Sequence, residues 1–511
     1  MMWFRIINNP RLIFLIGSLL ALSACSVGRE YHTPKTETLA QDKFLEQDQG
    51  RFRATEPVAA WWRQLGDDQL TLLVEQGLEH NLDIQIALAN LQEARFLLSE
   101  TTFDRFPTVE TQGKVTRQLQ SKEAIFPPFG NRTQTTYNAG FDAFWELNLF
   151  GRVSQRIAAS EANLEAREAD LDATYVTIAA EVARTYVELR GGQYRLEVAR
   201  RNADNQQQTY NLTKDLFEAG ASDGLDMERA RTQLELTKST IPPLEAEVNS
   251  AMNRLAVLTG QPPTTFHVML QSVEPLPSIP TTVDVGDPMA LLQRRPDIRA
   301  AERDLASAVA EYNVNVTDLY PNVTVKGSLG FSSTSISDLV TGSAGTYLIG
   351  PQINWAAFNL GRVFARIDAA DARAKARLAS FEKTVLRALE ETESAMVNFS
   401  RQEQSRARLQ DAAVSSAKAA KFAEERFDAG IDNFLDVLVA QATMLEAQDR
   451  LANSEINVAL NLVAIYKALG GGWQVKTPST NLSTDVAVVP TATRQDIVDS
   501  FMQKVPTSKG Q

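Results

Sequence analysis

Histidine and cysteine, the residues of zinc sites and of thiol–imidazole nucleophile pairs, are few in this chain, and their spacing keeps them apart. His32, His80 and His267 stand in different segments, and Cys25 is the one cysteine. A structural zinc site needs four Cys or His ligands at short spacings, and a cysteine nucleophile needs a base within hydrogen-bond reach. Neither pattern is present, and no Gly-rich phosphate loop or serine-nucleophile motif occurs. Arg295-Pro296-Asp297 invites a catalytic reading. Proline in a first helical turn starts helices, however, and an aspartate near a helix N-terminus is favoured by the macrodipole, so the motif reads as structural. The expectation is a protein that is not an enzyme and uses no cofactor or metal. A formal charge of −12 argues against nucleic acid or anionic lipid as a partner.

The lone cysteine has a specific setting. Residues 1 to 24 carry Arg5 and Arg11, then an apolar stretch from Leu12, and end Leu22-Ser23-Ala24 before Cys25. This is the pattern of a secretory leader with a small-residue cleavage site. Leu-Ser-Ala-Cys resembles a bacterial lipobox, which makes Cys25 the first mature residue and the point of lipid attachment. Ser26, in place of the aspartate that signals inner-membrane retention, favours the outer membrane.

The elements behind these residues are written twice. Leu149 to Val153 recurs as Asn359 to Val363, Phe217-Glu218-Ala219-Gly220 recurs as Phe427-Asp428-Ala429-Gly430, and Gly260 falls opposite Gly470, all at an offset of 210. Earlier pairs, Asp83-Ile84 with Asp297-Ile298 and Phe106-Pro107 with Tyr320-Pro321, are offset by 214. A four-residue difference between hairpin loops accounts for the change. The period is too long for a solenoid, whose units run about 20 to 50 residues, so one large module is duplicated. The division reads as a leader (1–24), an extended anchored segment (25–60), a first repeat (61–260), a Pro-rich linker (261–287), a second repeat (288–473) and a tail (474–511).

No stretch beyond the leader reaches the roughly 18 apolar residues of a transmembrane helix. Four segments instead alternate with a period of two: Thr108 to Leu119, Thr135 to Leu147, residues 322 to 331 and residues 346 to 355. Each half thus contributes a hairpin with a long loop, at 120–134 and 332–345, and Pro351 predicts a bulge. Single-chain transmembrane barrels start at eight strands, so four strands per chain require several chains. A sheet with one wet face shows the same alternation.

The remainder reads as unusually long helices. Residues 362 to 429 contain no Gly or Pro, which gives about 100 Å of continuous helix, and residues 152 to 219 are the duplicate. Apolar residues at Leu378, Phe381, Val385, Leu389, Met396 and Phe399 step by three and four, as in knobs-into-holes packing. Gly191-Gly192 predicts a bend or a close contact with another layer, and Pro242-Pro243 a distortion in the helix after the first tip. Narrow, alanine-rich stripes with wide polar flanks suit a hollow assembly better than a filled core.

Together the leader, paired hairpins, long helices, Leu292 to Glu302, and Phe427-Asp-Ala-Gly430 followed by Phe434-Leu-Asp-Val-Leu438 resemble the TolC-type outer membrane efflux family, in its lipoprotein (NodT-like) subfamily serving resistance-nodulation-division pumps. The resemblance spans about Trp61 to Trp473. It implies a mixed α/β membrane protein: a homotrimer with a 12-stranded outer-membrane β-barrel, four strands per chain, continued by a long periplasmic α-helical barrel. It also implies an exit channel that passively conducts drugs or other small toxic solutes once opened by a periplasmic adaptor and an inner-membrane transporter, proton-driven rather than ATP-driven. The alternatives are the exit duct of a type I protein-secretion system and a non-conducting lipid-anchored spacer.

The two helix-turn-helix tips then become the adaptor-contacting, channel-closing end. Gly220, Ala221, Ser222 and Asp223 form one tip and Gly430, Ile431 and Asn433 the other. Gly220 and Gly430 suit the left-handed position after a helix, and Asp223, Asp432 or Asn433 suits a cap. Asp436, inside the next helix and beyond capping range, aligns with a gate aspartate of the family, and three copies make an acidic ring that attracts cations. Asp226 is its counterpart in the first repeat. Val439 stands where some members carry a second gate aspartate and Asp432 where some carry an arginine, so Phe434 or Leu435 is an alternative, hydrophobic seal.

Overall fold

A computed structural model describes residues 27–35, 43–46, 50–121, 132–220, 222–431 and 433–475. The leader, Cys25 and the tail beyond 475 lie outside the described residues, as do Ala221 and Asp432. The compact body ends at Gln474.

Each repeat runs helix, hairpin, long helix, return helix. In the first, α1 (Asp68–His80) and α2 (Leu82–Phe103) lead to β2 (Thr108–Leu119) and β3 (Thr133–Glu146), then α3 (Arg152–Glu218), α4 (Gly224–Ser239) and α5 (Ile241–Leu258). The second has α6 (Pro288–Arg294), α7 (Pro296–Thr317), β5 (Asn322–Ser333), β6 (Gly345–Asn354), α8 (Leu360–Asp428) and α9 (Phe434–Ala468). Between them, β1 (Phe52–Arg53) of the N-terminal segment pairs in parallel with β4 (Val283–Asp284) of the linker.

The long helices are continuous, 67 residues in α3 and 69 in α8, so each spans about 100 Å. Gly191 and Gly192 do not interrupt α3; they admit a neighbour. A Cβ on Gly191 would lie 2.4 Å from Cγ1 of Ile456 on α9, and one on Gly192 3.1 Å from Cγ2 of Val248 on α5. Pro242-Pro243 does act as a break: α4 stops at Ser239, and α5 restarts at Ile241 with proline in its first turn, where no N–H is needed.

The repeats are closed by matched contacts. Asn81 caps α2 through Oδ1, accepting from Asp83 and Ile84, and donates Nδ2–H to the carbonyl of Leu258 at 2.8 Å. At the equivalent place Arg295 donates to the carbonyl of Ala468 at 2.9 Å and pairs with Asp297 and Glu391 at 2.7 and 2.9 Å. Thus Arg295-Pro296-Asp297 ties the start of α7 to α8 and α9. The bulkiest core sits nearby: Trp61 and Trp62 are wholly buried, and Trp61 stacks on Tyr466 at 4.8 Å.

The four hairpin strands form one antiparallel sheet in the order β2-β3-β5-β6. Pro351 makes no bulge, because β5 and β6 pair residue for residue from Asn322↔Asn354 to Phe331↔Gly345. The carbonyl of Val323 serves Leu147 beyond β3, so odd-numbered residues of β5 turn their hydrogen-bonding groups that way. Pro351, opposite Val325, therefore faces the free edge and owes no N–H to β5. The apolar side chains of the sheet are uncovered in one chain, with Val109 at 62%, Ile349 at 76% and Tyr347 at 83% exposure.

Gly191→Ala is expected to lower stability by about 1–3 kcal/mol through overpacking, with much of the loss recovered in Gly191→Ala/Ile456→Ala; thermal melts of the four proteins of the cycle measure it. A second expectation concerns alkaline pH. Tyr186, which donates to Asp67 and accepts from Arg190, and Tyr466, which donates to Gln64, are each pushed up to about 12 by burial. Unfolded tyrosine titrates near 10 (about). Their stabilisation is complete below that pH and is lost as pH rises towards the folded values. The melting midpoint should fall across that window, and less steeply in Tyr466→Phe.

Candidate functional site

The helical tips gather the residues singled out in the sequence. At the first, α3 ends at Glu218 and Gly220 takes φ 73°, its N–H bonding the carbonyl of Phe217 at 3.0 Å. At the second, Gly430 has φ 68°, and the Ile431 N–H reaches back to the carbonyl of Arg426 at 2.9 Å, a six-to-one closure of the helix end. Asp223 caps α4 by accepting from Leu225 and Asp226 at 2.9 and 3.1 Å. Asn433 caps α9 by accepting from Asp436 at 3.2 Å.

Asp436 therefore lies inside α9, in its first turn, and Asn433 rather than Asp436 is the cap. An acid is favoured there by the helix dipole alone, and so is Asp226, which occupies the same turn of α4. Their surroundings differ. Asp226 faces Arg229 at 3.4 Å and Ser222 Oγ at 3.5 Å. Val439 stands where Arg229 does in the other copy, and Asp436 is exposed with no ion-pair partner among the described residues.

Phe434 is placed differently from the rest. It is buried, 4% exposed, in a cluster with Ala230, Val437 and Leu438, and its ring meets Phe427 edge-on at 5.5 Å. It joins α8, α9 and α4, whereas Leu435, Ile431 and Val439 present apolar side chains at the surface.

The other end of the long helices has its own paired features, which periodicity did not reveal. Trp145 Nε1 donates to the carbonyl of Arg105, and Trp355 Nε1 to that of Leu319, each at 3.1 Å, and both rings are exposed. Arg156 faces Asp104 at 3.9 Å, and Arg366 faces Asp318 at 3.6 Å. The segment from Val27 straps onto this end. Asn313 exchanges hydrogen bonds with the backbone of Arg29 at 2.8 and 2.9 Å, Tyr31 donates to Glu302, and Arg29 pairs with Asp371 at 2.8 Å. Burial and the Glu302 carboxylate raise the Tyr31 pKa, and the short Gly28 lies where a Cβ would strike Asn313.

A family model described as outer membrane efflux protein matches residues 73–261 and 288–471. The chain belongs to the outer membrane efflux protein family. Its relatives include nodulation protein T of Rhizobium leguminosarum bv. trifolii, 28% identical over 89% of this chain and 96% of that protein. Another is the toluene efflux pump outer membrane protein TtgC of Pseudomonas putida, 29% identical over 93% and 98%. Among solved structures, the outer-membrane channel OprN is 38% identical, with a TM-score of 0.83 over 88% of this chain and all of that one. The CmeC outer membrane channel of Campylobacter jejuni, at 21% identity, shares the fold with a TM-score of 0.80 over 88% and 95%. As a member of the outer membrane efflux protein family, this chain is an outer-membrane transport component and not an enzyme.

Asn433→Ala should cost about 1 kcal/mol, felt locally as a roughly fivefold rise in amide exchange across the first turn of α9. Exchange in α3 should be unchanged.

Proposed function

We propose that this protein is the exit duct of a tripartite efflux pump: a homotrimer held to the outer membrane by lipid on Cys25, with a 12-stranded barrel and a helical tunnel into the periplasm. The observation that carries the reading is the sheet. Among the described residues, edge strands β2 and β6 leave a row of backbone N–H and C=O groups unpaired, and in lipid each such group costs several kcal/mol. Pairing β2 of one copy with β6 of the next removes both edges, and three copies of four strands close a ring of 12. The exposed Trp145 and Trp355, each tied to the helical end, suit the aromatic girdle of such a barrel.

In this duct the tips are the gate. Asp436, unpaired because Val439 replaces an arginine, forms a ring of three carboxylates, and exposed Leu435 beside it supplies an apolar collar. Phe434 holds the turn in place from the core. Asp226 is neutralised by Arg229 and contributes less field. Residues Gly220 to Asp223 and Gly430 to Asn433 are the surface that meets a periplasmic adaptor, which couples the duct to a proton-driven inner-membrane transporter. The relatives' names, among them toluene and antibiotic efflux pump components, support small toxic solutes as cargo.

Purified trimer in planar bilayers tests the assignment. Asp436→Ala should raise the resting current and weaken cation preference, while Asp226→Ala should change both less. An identical resting state in Asp436→Ala removes the acidic gate, and absence of conductance in the wild type removes the duct.

A further inference from the structure

The seam between α3 and α9 changes character along its length. At Gly191 it is dry and tight, with Ile456 packed against the bare backbone. Fifteen residues nearer the tip on both helices, about 22 Å away, it turns polar. Gln206 is 4% exposed, yet neither its Nε2 nor its Oε1 has a hydrogen-bond partner among the described residues. Gln441 is buried too; it donates Nε2–H to Glu424 at 2.8 Å and leaves Oε1 without a partner. A cavity of about 420 Å³ opens at these two amides, lined also by Asn202, Thr209, Phe427 and Met444. On its tip side the cavity is walled by Phe434 and Val437 of the small cluster with Ala230 and Leu438.

A buried primary amide without a partner is costly, and native structures supply one from protein or from water. A polar cavity of this size holds several waters, and its amides and hydroxyl offer each the two to four partners it needs. We propose that the cavity at Gln206 and Gln441 is a water-binding site, and that its waters make it the hinge about which the tip of α9 shifts against α3. Interdigitated apolar contacts resist partial displacement, because close-packed interfaces switch between discrete arrangements. Water bridges re-form in a shifted register at little cost. The contact of Gly191 with Ile456 fixes the seam on one side of the cavity, so movement is confined to the other. This hinge rests on the gated-duct reading above and states where that gate bends.

The test uses the full-length trimer with Gln206→Met and Gln441→Met, which keep side-chain length and remove hydrogen bonding, beside Gln206→Asn, which keeps the amide. The methionine variants should melt a few degrees higher, exchange tip amides more slowly, and open roughly fivefold less often in bilayers under conditions that open the wild type; Gln206→Asn should open like the wild type. Unchanged opening and unchanged tip exchange in both methionine variants overturn the hinge. If a methionine variant does not assemble, a high-resolution structure of the wild type decides. Ordered waters on the Gln206 amide support the site, and a dry cavity or a bond from that amide to a neighbouring copy overturns it. A wild type that never conducts defeats the duct, while exchange and the waters still judge the cavity.

Discussion

The four-stranded sheet turns on the backbone groups that its two edge strands leave without partners among the described residues. A four-stranded sheet has two edges, and in a membrane an edge is not merely sticky but prohibitively expensive. The edge strands β2 and β6 come from opposite ends of the sheet order, as the proposed ring closure between identical copies would require. The uncovered apolar side chains fit the same proposal, in which lipid, not a helix, would cover the sheet. Even Pro351 conforms, its missing N–H directed away from β5.

In the proposed trimer, duplication solves a geometric problem: three chains would set six similar units around one axis. What both copies retain identifies what that architecture needs. The return helix ends on a carbonyl held by a polar side chain at the start of the helix preceding the hairpin, Asn81 on Leu258 and Arg295 on Ala468. Each strand exit carries a tryptophan bonded to a backbone carbonyl, and each long helix begins with an arginine turned to an aspartate. The copies diverge at the tip, where Arg229 is replaced by Val439. In the proposed trimer an arginine would be present at three of six near-equivalent positions, beside Asp226, and absent at the three beside Asp436, so a pseudo-six-fold tube would become three-fold at its tips.

The seam between the long helices divides its work in the same way. Glycine in mid-helix is ordinarily a weakness of about 1 kcal/mol relative to alanine; Gly191 offsets that by letting Ile456 approach its backbone. Towards the tip, small apolar clusters and buried amides replace this tight packing. The packing thus changes from tight to polar along the seam, and the proposed gate lies at the polar end.

The sequence by itself determined the architecture of the repeat. Two strand pairs were legible from period-two alternation, one long helix from the absence of Gly and Pro in residues 362 to 429 and the other as its duplicate, and the turns from Phe217 to Gly220 and Phe427 to Gly430, because these depend on residues near one another in the chain. It also showed the mismatch of Arg229 and Val439, though not that Arg229 reaches Asp226. Only the tertiary structure decided which side chains meet across helices. Phe434, a candidate seal by position, is turned into the core by Phe427 and Ala230. Gly191 admits Ile456, Pro351 makes no bulge, and Gln206 is buried without a partner among the described residues. The physical reason is range: propensity and periodicity act over a few residues, whereas burial and pairing are set by partners from tens to hundreds of residues away.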